Sequence, residues 1–316
     1  MGFLSEPPPP RGAALDVLPG IRRVVADNPS VMTYHGTNTY LIEDESGLVV
    51  IDPGPDDPAH VRDILAAANG TPVALILLTH AHKDHYGALN MLRQATSAKV
   101  AAYEAPGNPG IQPDIKLADG ARIGGFTAVY TPGHAPDHLC FQYYGENGEK
   151  ILFSGDHVMS WSSSIVSPPD GDMSDYYRSL ERLLERDDDL FLSGHGPLLR
   201  EPRLLTAALL ANRQMRERAI LTAMKAQRTA SVASLAARLY HKLDPKLKIA
   251  AQRNVLAHLL KLEKEGIVTE LEPEAELPPD DPAALMAPDD EKKPENPDLV
   301  ISKKDARRRF GLAGLG

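Results

Sequence analysis

Between residues 20 and 200, short apolar runs alternate with amphipathic stretches, and their two periods separate strands from helices. Residues 20–26 and 37–42 read as neighbouring strands. The apolar run at 47–52 stops at Pro53-Gly54, a turn signal. Val61, Ile64, Leu65 and Ala68 recur at helical spacing over 58–68, with Asp56 or Asp57 placed to cap the helix. Residues 72–78 are uniformly apolar, as in a strand buried on both faces. Further short strands are predicted at 99–102, 127–130, 139–144, 151–154 and 190–192. A helix at 174–185 carries Tyr177, Leu180, Leu183 and Leu184 on one side. Antiparallel-looking strands with returning helices predict an α+β class, two sheets covered by helices.

Residues 213–271 follow a different pattern, three helices and a strand. The first helix covers 213–227. Ser231 is placed to cap the second, through Tyr240, which buries Val232, Leu235, Ala236 and Leu239. The third covers 250–265, with Val255, Leu256, Leu259, Leu260 and Leu262 inward and Gly266 just past its end. Residues 267–271 then form one wing strand, completing a winged-helix pattern. Pro273 and the acidic run behind it leave no evident return strand for a full wing.

Charge sharpens this division. The net charge of −9 is split into −12 over 1–212, +7 over 213–270, −8 over 271–298 and +4 over 299–316. The acidic stretch holds seven prolines between Pro273 and Pro297. Such a composition cannot offset the entropy of ordering, so 272–316 is expected to be a disordered acidic, proline-rich tail. Four prolines at 7–10 mark 1–19 as a flexible leader. A main domain at 20–212 and a small winged-helix-like domain at 213–271 remain.

With 42% hydrophobic and 24% charged residues the chain is ordinary for a globular protein, which excludes collagen, a coiled coil and a wholly disordered chain. No apolar run approaches the roughly 18 residues that span a bilayer. The N-terminus lacks the basic and apolar regions of a secretory signal. A cytoplasmic protein without a membrane partner is therefore expected. Cys140 stands alone, so no intramolecular disulfide or cysteine cluster can form. Any metal must be held by His, Asp or Glu.

Those residues gather at strand ends. After the buried strand comes Thr79-His80-Ala81-His82-Lys83-Asp84-His85, three imidazoles and a carboxylate within six residues. His80 and His82, two apart in extended chain, project to the same side. Asp84 and His85 fall where the next helix begins. The loop can thus present two pairs of ligands to two neighbouring cations, and this donor set suits zinc or iron. Thr131-Pro-Gly-His134, Phe153-Ser-Gly-Asp156 and Leu192-Ser-Gly-His195-Gly196-Pro197 repeat the design. In each a glycine beside the candidate ligand permits a tight turn and close approach, which lets several loops converge on one point.

The succession HxHxDH, TPGH, SGD and GHG resembles the metallo-β-lactamase superfamily, and within it the β-lactamase-like protein 2 group. Asn38-Thr-Tyr-Leu-Ile42, Asp52-Pro-Gly54, the His134/Asp137-His138 pair, Asn212-Arg213 through Arg216-Glu217 and the helix at 254–266 extend the match. The resemblance implies an αβ/βα sandwich with two metals at one edge, followed by a winged-helix domain. It implies that His80, His82 and His134 hold one ion, that Asp84, His85 and His195 hold the other, and that Asp156 bridges them. Two zinc ions are the expected cofactor, with iron or manganese as alternatives. A zinc-held water ionises near pH 7 rather than about 15.7, and Asp84 would be catalytic by orienting it. Asp52 either supports the 79–85 loop or caps the turn before Pro53. His138 either meets the substrate or supports the site from behind. His157 reads as structural, His35 and His60 as surface residues, and Cys140 as a small core residue. The loop at 161–170, directly after Asp156, either contacts substrate or is plain surface.

Three functions stay open. The first is a dinuclear-metal hydrolase of a phosphodiester such as single-stranded RNA, which the basic second domain would attract. The second is a hydrolase of thioesters, lactones or β-lactams, acting on a small-molecule acyl substrate. The third is a winged-helix nucleic-acid binder with a structural metal site. Seven ligands for two ions exceed a closed four-coordinate site, which argues for an enzyme. The missing return strand argues against duplex DNA.

Overall fold

The computed structural model describes residues 2–44, 47–241, 247–272, 282 and 301–313. The first elements are β1 (Leu15–Leu18), β2 (Ile21–Val25), β3 (Asn38–Asp44), β4 (Gly47–Ile51), α1 (Pro58–Ala68), β5 (Val73–Leu77), α2 (Lys83–Tyr86), α3 (Leu89–Thr96), β6 (Lys99–Tyr103) and β7 (Ile115–Leu117). There follow β8 (Arg122–Ile123), β9 (Phe126–Tyr130), β10 (Leu139–Tyr144), β11 (Lys150–Gly155), α4 (Met173–Leu184), β12 (Leu190–Ser193) and α5 (Pro202–Gln227). The last are β13 (Thr229–Ser231), α6 (Val232–Leu239), α7 (Lys248–Lys264), β14 (Val268–Glu270), α8 (Lys303–Arg307) and β15 (Arg309–Leu312). No helix among the described residues is long and apolar enough to cross a membrane.

The chain divides into two compact units, Met1–Ser164 with Asp175–Ala208, and Ile165–Ser174 with Leu209–Gly316. In the first, β1 to β7 form one sheet in sequence order and β12-β11-β10-β9-β8 form the other. Period-two alternation builds the sandwich. Tyr40, Ile42, Val49, Ile51, Leu75 and Leu77 face Phe126, Phe141, Ile151 and Phe153 of the second sheet. The residues between them, Leu41, Leu48, Val50 and Ile76, pack against Val61 and Ile64 of α1 and Leu89 and Leu92 of α3. That is why the run at 72–78 has no polar face: β5 pairs in parallel with β4 and β6, and helices cover its far side. Asp57 caps α1 by accepting from the Ala59 amide, as the sequence suggested.

Three expectations are corrected. The leader is ordered at its end, because β1 pairs with β2 and places Val17 and Leu18 against the sandwich core. His60 is buried, not surface; its Nε2 lies 2.8 Å from Thr39 Oγ1. The third concerns the tail. Residues 273–281 and 283–300 lie outside the described residues, but 301–313 are structured. β15 runs between β13 and β14, giving the sheet order β13-β15-β14. It is the return strand that was not evident in the sequence. Ile301, Ala306 and Phe310 are buried with Val232, Leu235, Val255 and Leu259 in the core of the second unit. Arg308, expected to lie in the disordered tail, makes two 2.6 Å bonds to Glu270. Charge averaged over the whole tail hid this short apolar period.

Ser231 caps α6, accepting from the Ser234 amide at 3.0 Å. Because β13 and β14 are three residues each and meet only through β15, Phe310→Ala should destabilise the second unit by about 3–5 kcal/mol. Denaturant unfolding of the full chain, followed by amide exchange in α6 and α7, checks this. A loss below about 1 kcal/mol would mean β15 is not part of that unit's core.

Candidate metal centre

The loop after β5, the turns after β9 and β11, and the turn after β12 meet at one end of the sandwich. His80 Nε2 and His134 Nε2 lie 2.9 and 3.0 Å from His82 Nδ1. Beside this triad, His195 Nε2 is 3.3 Å from Asp84 Oδ2, and His85 Nε2 is 3.6 Å from the same oxygen. Asp156 lies between the two groups. Its Oδ2 is 3.3 Å from His195 Nε2, 3.5 Å from His85 Nε2 and 3.8 Å from His134 Nε2. Ligand atoms of His80, His82 and His134, of His80, His85 and Asp156, and of Asp84, His85 and His195 fall within 4.8 Å of one another in each set. The seven residues named from the sequence are thus brought together. His82 and Asp84 are half-exposed and the other five are buried.

The rings are aimed by their other nitrogens. Asp52 accepts from the Thr79 amide (2.8 Å), the Thr79 hydroxyl (2.6 Å) and His85 Nδ1 (2.8 Å). Its backbone is left-handed, with φ of 52°, a conformation Asp tolerates better than most residues. That turn swings the carboxylate back over the end of β5. The Thr79 hydroxyl, having donated to Asp52, accepts from His80 Nδ1 at 2.9 Å. Protons on both Nδ1 atoms leave the two Nε2 atoms free as donors to a cation. These three bonds tie the Asp52 carboxylate to the loop at 79–85.

His138 supports from behind. Its Nδ1 meets Thr131 Oγ1 at 2.9 Å, and its Nε2 accepts from the Asp156 amide at 3.2 Å. The ring is fully buried. His157 is fully buried beside Tyr176, with ring centroids 4.7 Å apart. His35 is half-exposed, its Nε2 lying 3.0 Å from Glu6 O. Cys140 is buried in β10. Asn38 was not among the site candidates, yet its Nδ2 donates to Ser193 O and Gly196 O, both at 2.9 Å, and Tyr40 OH donates to Ser193 O at 2.8 Å. Asn38 and Tyr40, two apart and so on one face of the strand, were the available signal.

Electrostatics divide the site. Burial lowers the His80 pKa, and the charges of His85, His82 and His134 lower it further, well below the ordinary imidazole value. Burial also disfavours a charged His85, but Asp156, Asp84 and Asp52 overcome it and hold the ring well above that value. For His195 burial is likewise outweighed, mainly by Asp156, and the pKa rises to about 9. Burial raises the Asp84 and Asp156 pKa values, yet the charges of His85 and His195 bring both well below the carboxylate range. The two carboxylates, Asp156 buried and Asp84 half-exposed, thus sit among positive partners, a role that cations fill by displacing imidazole protons.

The donors fit such ions. Among the described residues, His85 Nε2, His195 Nε2 and Asp156 Oδ1 are buried without a hydrogen-bond partner. Each such atom costs about 1–3 kcal/mol unless something satisfies it. Gly194 allows the approach, since a Cβ there would lie 2.5 Å from Asp156 Oδ1 and 2.6 Å from His85 Cε1.

A sequence pattern for the metallo-beta-lactamase superfamily matches residues 32–195, just over half of the chain. The chain belongs to the metallo-beta-lactamase superfamily. A second pattern, the beta-lactamase associated winged helix domain, matches residues 231–274. Among relatives in this superfamily, the beta-lactamase-like protein 2 homolog of Drosophila melanogaster is 32% identical over 77% of this chain and 88% of its own. An atrochrysone carboxyl ACP thioesterase of Passalora fulva is 30% identical, over 70% of this chain and 68% of its own. The crystal structure of a beta-lactamase domain protein from Burkholderia ambifaria superposes with a TM-score of 0.71 at 25% identity, covering 83% of this chain and 91% of that one. The αβ/βα sandwich and the winged-helix domain are those of the superfamily. The chain is a metal-dependent hydrolase of that superfamily, and the His/Asp cluster is its metal-binding site.

Proposed function

We propose that this hydrolase uses two zinc ions and acts on an acyl thioester. His80, His82 and His134 hold one ion, Asp84, His85 and His195 the other, and Asp156 joins them. The two-ion reading is carried by the arrangement of the donors, two triads on either side of one carboxylate. Zinc suits imidazole and carboxylate donors. When bound, the ions supply Lewis acidity that makes a water nucleophilic near neutral pH and neutralises charge growing on the carbonyl oxygen.

Asp84, half-exposed at the edge of the site, orients the attacking water by accepting its hydrogen bond. Its depressed pKa makes it an acceptor that does not keep the proton. Asp52 and His138 hold the ligand loops and stay out of the reaction.

Substrate class is supported by two observations. One relative is named as a thioesterase. The second is the fate of the basic residues expected to attract a polyanion. Arg213 bonds Asn254 Oδ1 (2.9 Å), Arg216 bonds Leu239 O (3.3 Å) and lies over the Tyr240 ring, and Arg253 is held by Ser167 and Pro168 O. Lys246 lies outside the described residues; Arg218 and Lys248 are exposed. Three of these arginines are thus engaged within the unit, which lessens the charge offered to a polyanion. The leaving group agrees. A thiol, with a pKa of about 8.5 for cysteine, departs with little need of a proton, and His138 has both ring nitrogens engaged.

The test is to strip the protein with a chelator, reload it with Zn, Fe(II) or Mn(II), and assay an acyl thioester, a single-stranded RNA and a β-lactam side by side. About two Zn per chain and thioester turnover that is lost on chelation are expected. RNA cleavage without thioester turnover would replace the substrate class. Metal content near zero after reloading would sink the dinuclear reading.

A further inference from the structure

The N-terminal segment, expected to be a leader, crosses beside the loop that carries His195. Glu6 is fastened by both backbone and side chain. Its amide donates to Tyr34 OH at 2.9 Å, and its carbonyl accepts from Tyr34 OH at 3.1 Å and lies 3.0 Å from His35 Nε2. Its carboxylate takes Arg23 Nη1 and Nη2 at 3.0 and 2.9 Å. Leu4 adds a backbone bond to Ser160 O at 2.9 Å. Further along, Arg11 donates to Ala26 O and His35 O at 2.6 and 2.7 Å.

Two routes lead from Glu6 to His195. In the first, Arg23 Nη1 donates to Gly196 O at 2.9 Å, sharing that carbonyl with Asn38 Nδ2. Gly196 has φ of 86°, and a Cβ there would lie 2.7 Å from Trp161 Cδ1, so the turn after His195 is confined from two sides. In the second, Tyr34 and His35 lead directly into Gly36, whose carbonyl lies 3.3 Å from His195 Nδ1. Thr37 pairs with His195 in an isolated antiparallel bridge. A proton on Nδ1 directed at Gly36 O leaves Nε2 for a cation.

Arg23 makes the arrangement more than local packing. It sits opposite Tyr40 in the β2–β3 register and is only 6% exposed. A buried guanidinium needs a carboxylate partner, and Glu6 supplies it. Without that partner Arg23 has reason to move towards solvent and release Gly196 O.

We propose that residues 4–11 form a strap in which Glu6, acting through Arg23 and Gly196 and through Tyr34 and Gly36, positions His195 for the second metal ion. Glu6 and Arg23 are positioning residues that touch neither metal nor substrate. The proposal rests on the dinuclear reading, in which His195 holds an ion.

The experiment uses the full chain, stripped and titrated with Zn(II) against a chromophoric chelator and with Co(II) by visible absorption. Wild type, Glu6→Ala, Glu6→Gln and, as a control, Arg93→Ala are compared, the last breaking the distant Arg93–Asp114 pair. Glu6→Ala should weaken one of the two ions by about tenfold to a hundredfold, the range for partners that orient metal ligands, and leave the other unchanged. Its Co(II) bands should shift. Glu6→Gln, which keeps an acceptor for Arg23 without the charge, should fall between, and Arg93→Ala should match wild type. If Glu6→Ala does not fold, Glu6→Gln decides by the same two readouts. Wild-type affinities and Co(II) bands in the Glu6 variants, even with a lowered melting temperature, would overturn the strap alone. A wild type that takes up a single ion would overturn the dinuclear reading and the strap with it.

Discussion

Asp156→Ala should release metal and abolish hydrolysis. Asp156 Oδ2 lies 3.3–3.8 Å from nitrogens of both triads, and among the described residues it is the carboxylate placed between them. Two unit charges 4 Å apart at an effective dielectric constant of about 20 repel by roughly 4 kcal/mol, and two dications by about four times as much. A carboxylate between them offsets part of that repulsion, and alanine offsets none. Metal content should fall from about two ions to one or fewer per chain, and turnover should drop by more than about a hundredfold. Elemental analysis and activity of the same preparation check both. Full activity would mean that Asp156 does not join the ions. The neighbouring His157→Ala is the control. Its buried ring packs against Tyr176 and His138, so stability should fall while metal is retained. Equal metal loss in both variants would point to general unfolding.

Asp52→Asn should be the second most damaging change, although Asp52 touches no ion. Three donors, the Thr79 amide, the Thr79 hydroxyl and His85 Nδ1, end on its two oxygens. Asparagine accepts the left-handed backbone as readily as aspartate, so the variant isolates the loss of acceptors from backbone strain. One oxygen becomes an NH₂ facing hydrogen-bond donors in a fully buried place. We expect a stability loss of about 3 kcal/mol, since each buried group left unsatisfied costs about 1–3 kcal/mol. Metal affinity should fall by about tenfold to a hundredfold, because His85 Nδ1 loses its acceptor and the Thr79 hydroxyl, which accepts from His80 Nδ1, loses the carboxylate that orients it. Denaturant unfolding of the metal-free chain and metal titration measure the two effects separately. Unchanged metal affinity would return Asp52 to the role of a turn residue.

Several features were legible in the sequence because they depend on neighbours along the chain. The uniformly apolar run at 72–78 predicts a strand buried on both faces, and both faces are covered. The caps at Asp57 and Ser231 act within three residues of themselves. The seven candidate ligands stand out because each strand end carries its own short motif, readable without knowing where the strand ends meet.

Other features were decided only by the tertiary structure. Asp52 was equally a turn residue and a support until Thr79 and His85 were placed against its carboxylate. His60 carries no local sign of burial, and Thr39 supplies its partner from 21 residues away. β15 reads as tail because its partners, β13 and β14, precede it across a long acidic stretch. Arg23 finds its carbonyl partner 173 residues on, at Gly196, which nothing near it in the chain indicates. Periodicity and capping arise from steric and hydrogen-bond rules that repeat within a few residues, so the local sequence determines them. A buried ion pair or an added strand forms only where folding brings distant chain together. The chemistry of Asp52, Arg23 and β15 therefore depends on contacts that no local window of the sequence contains.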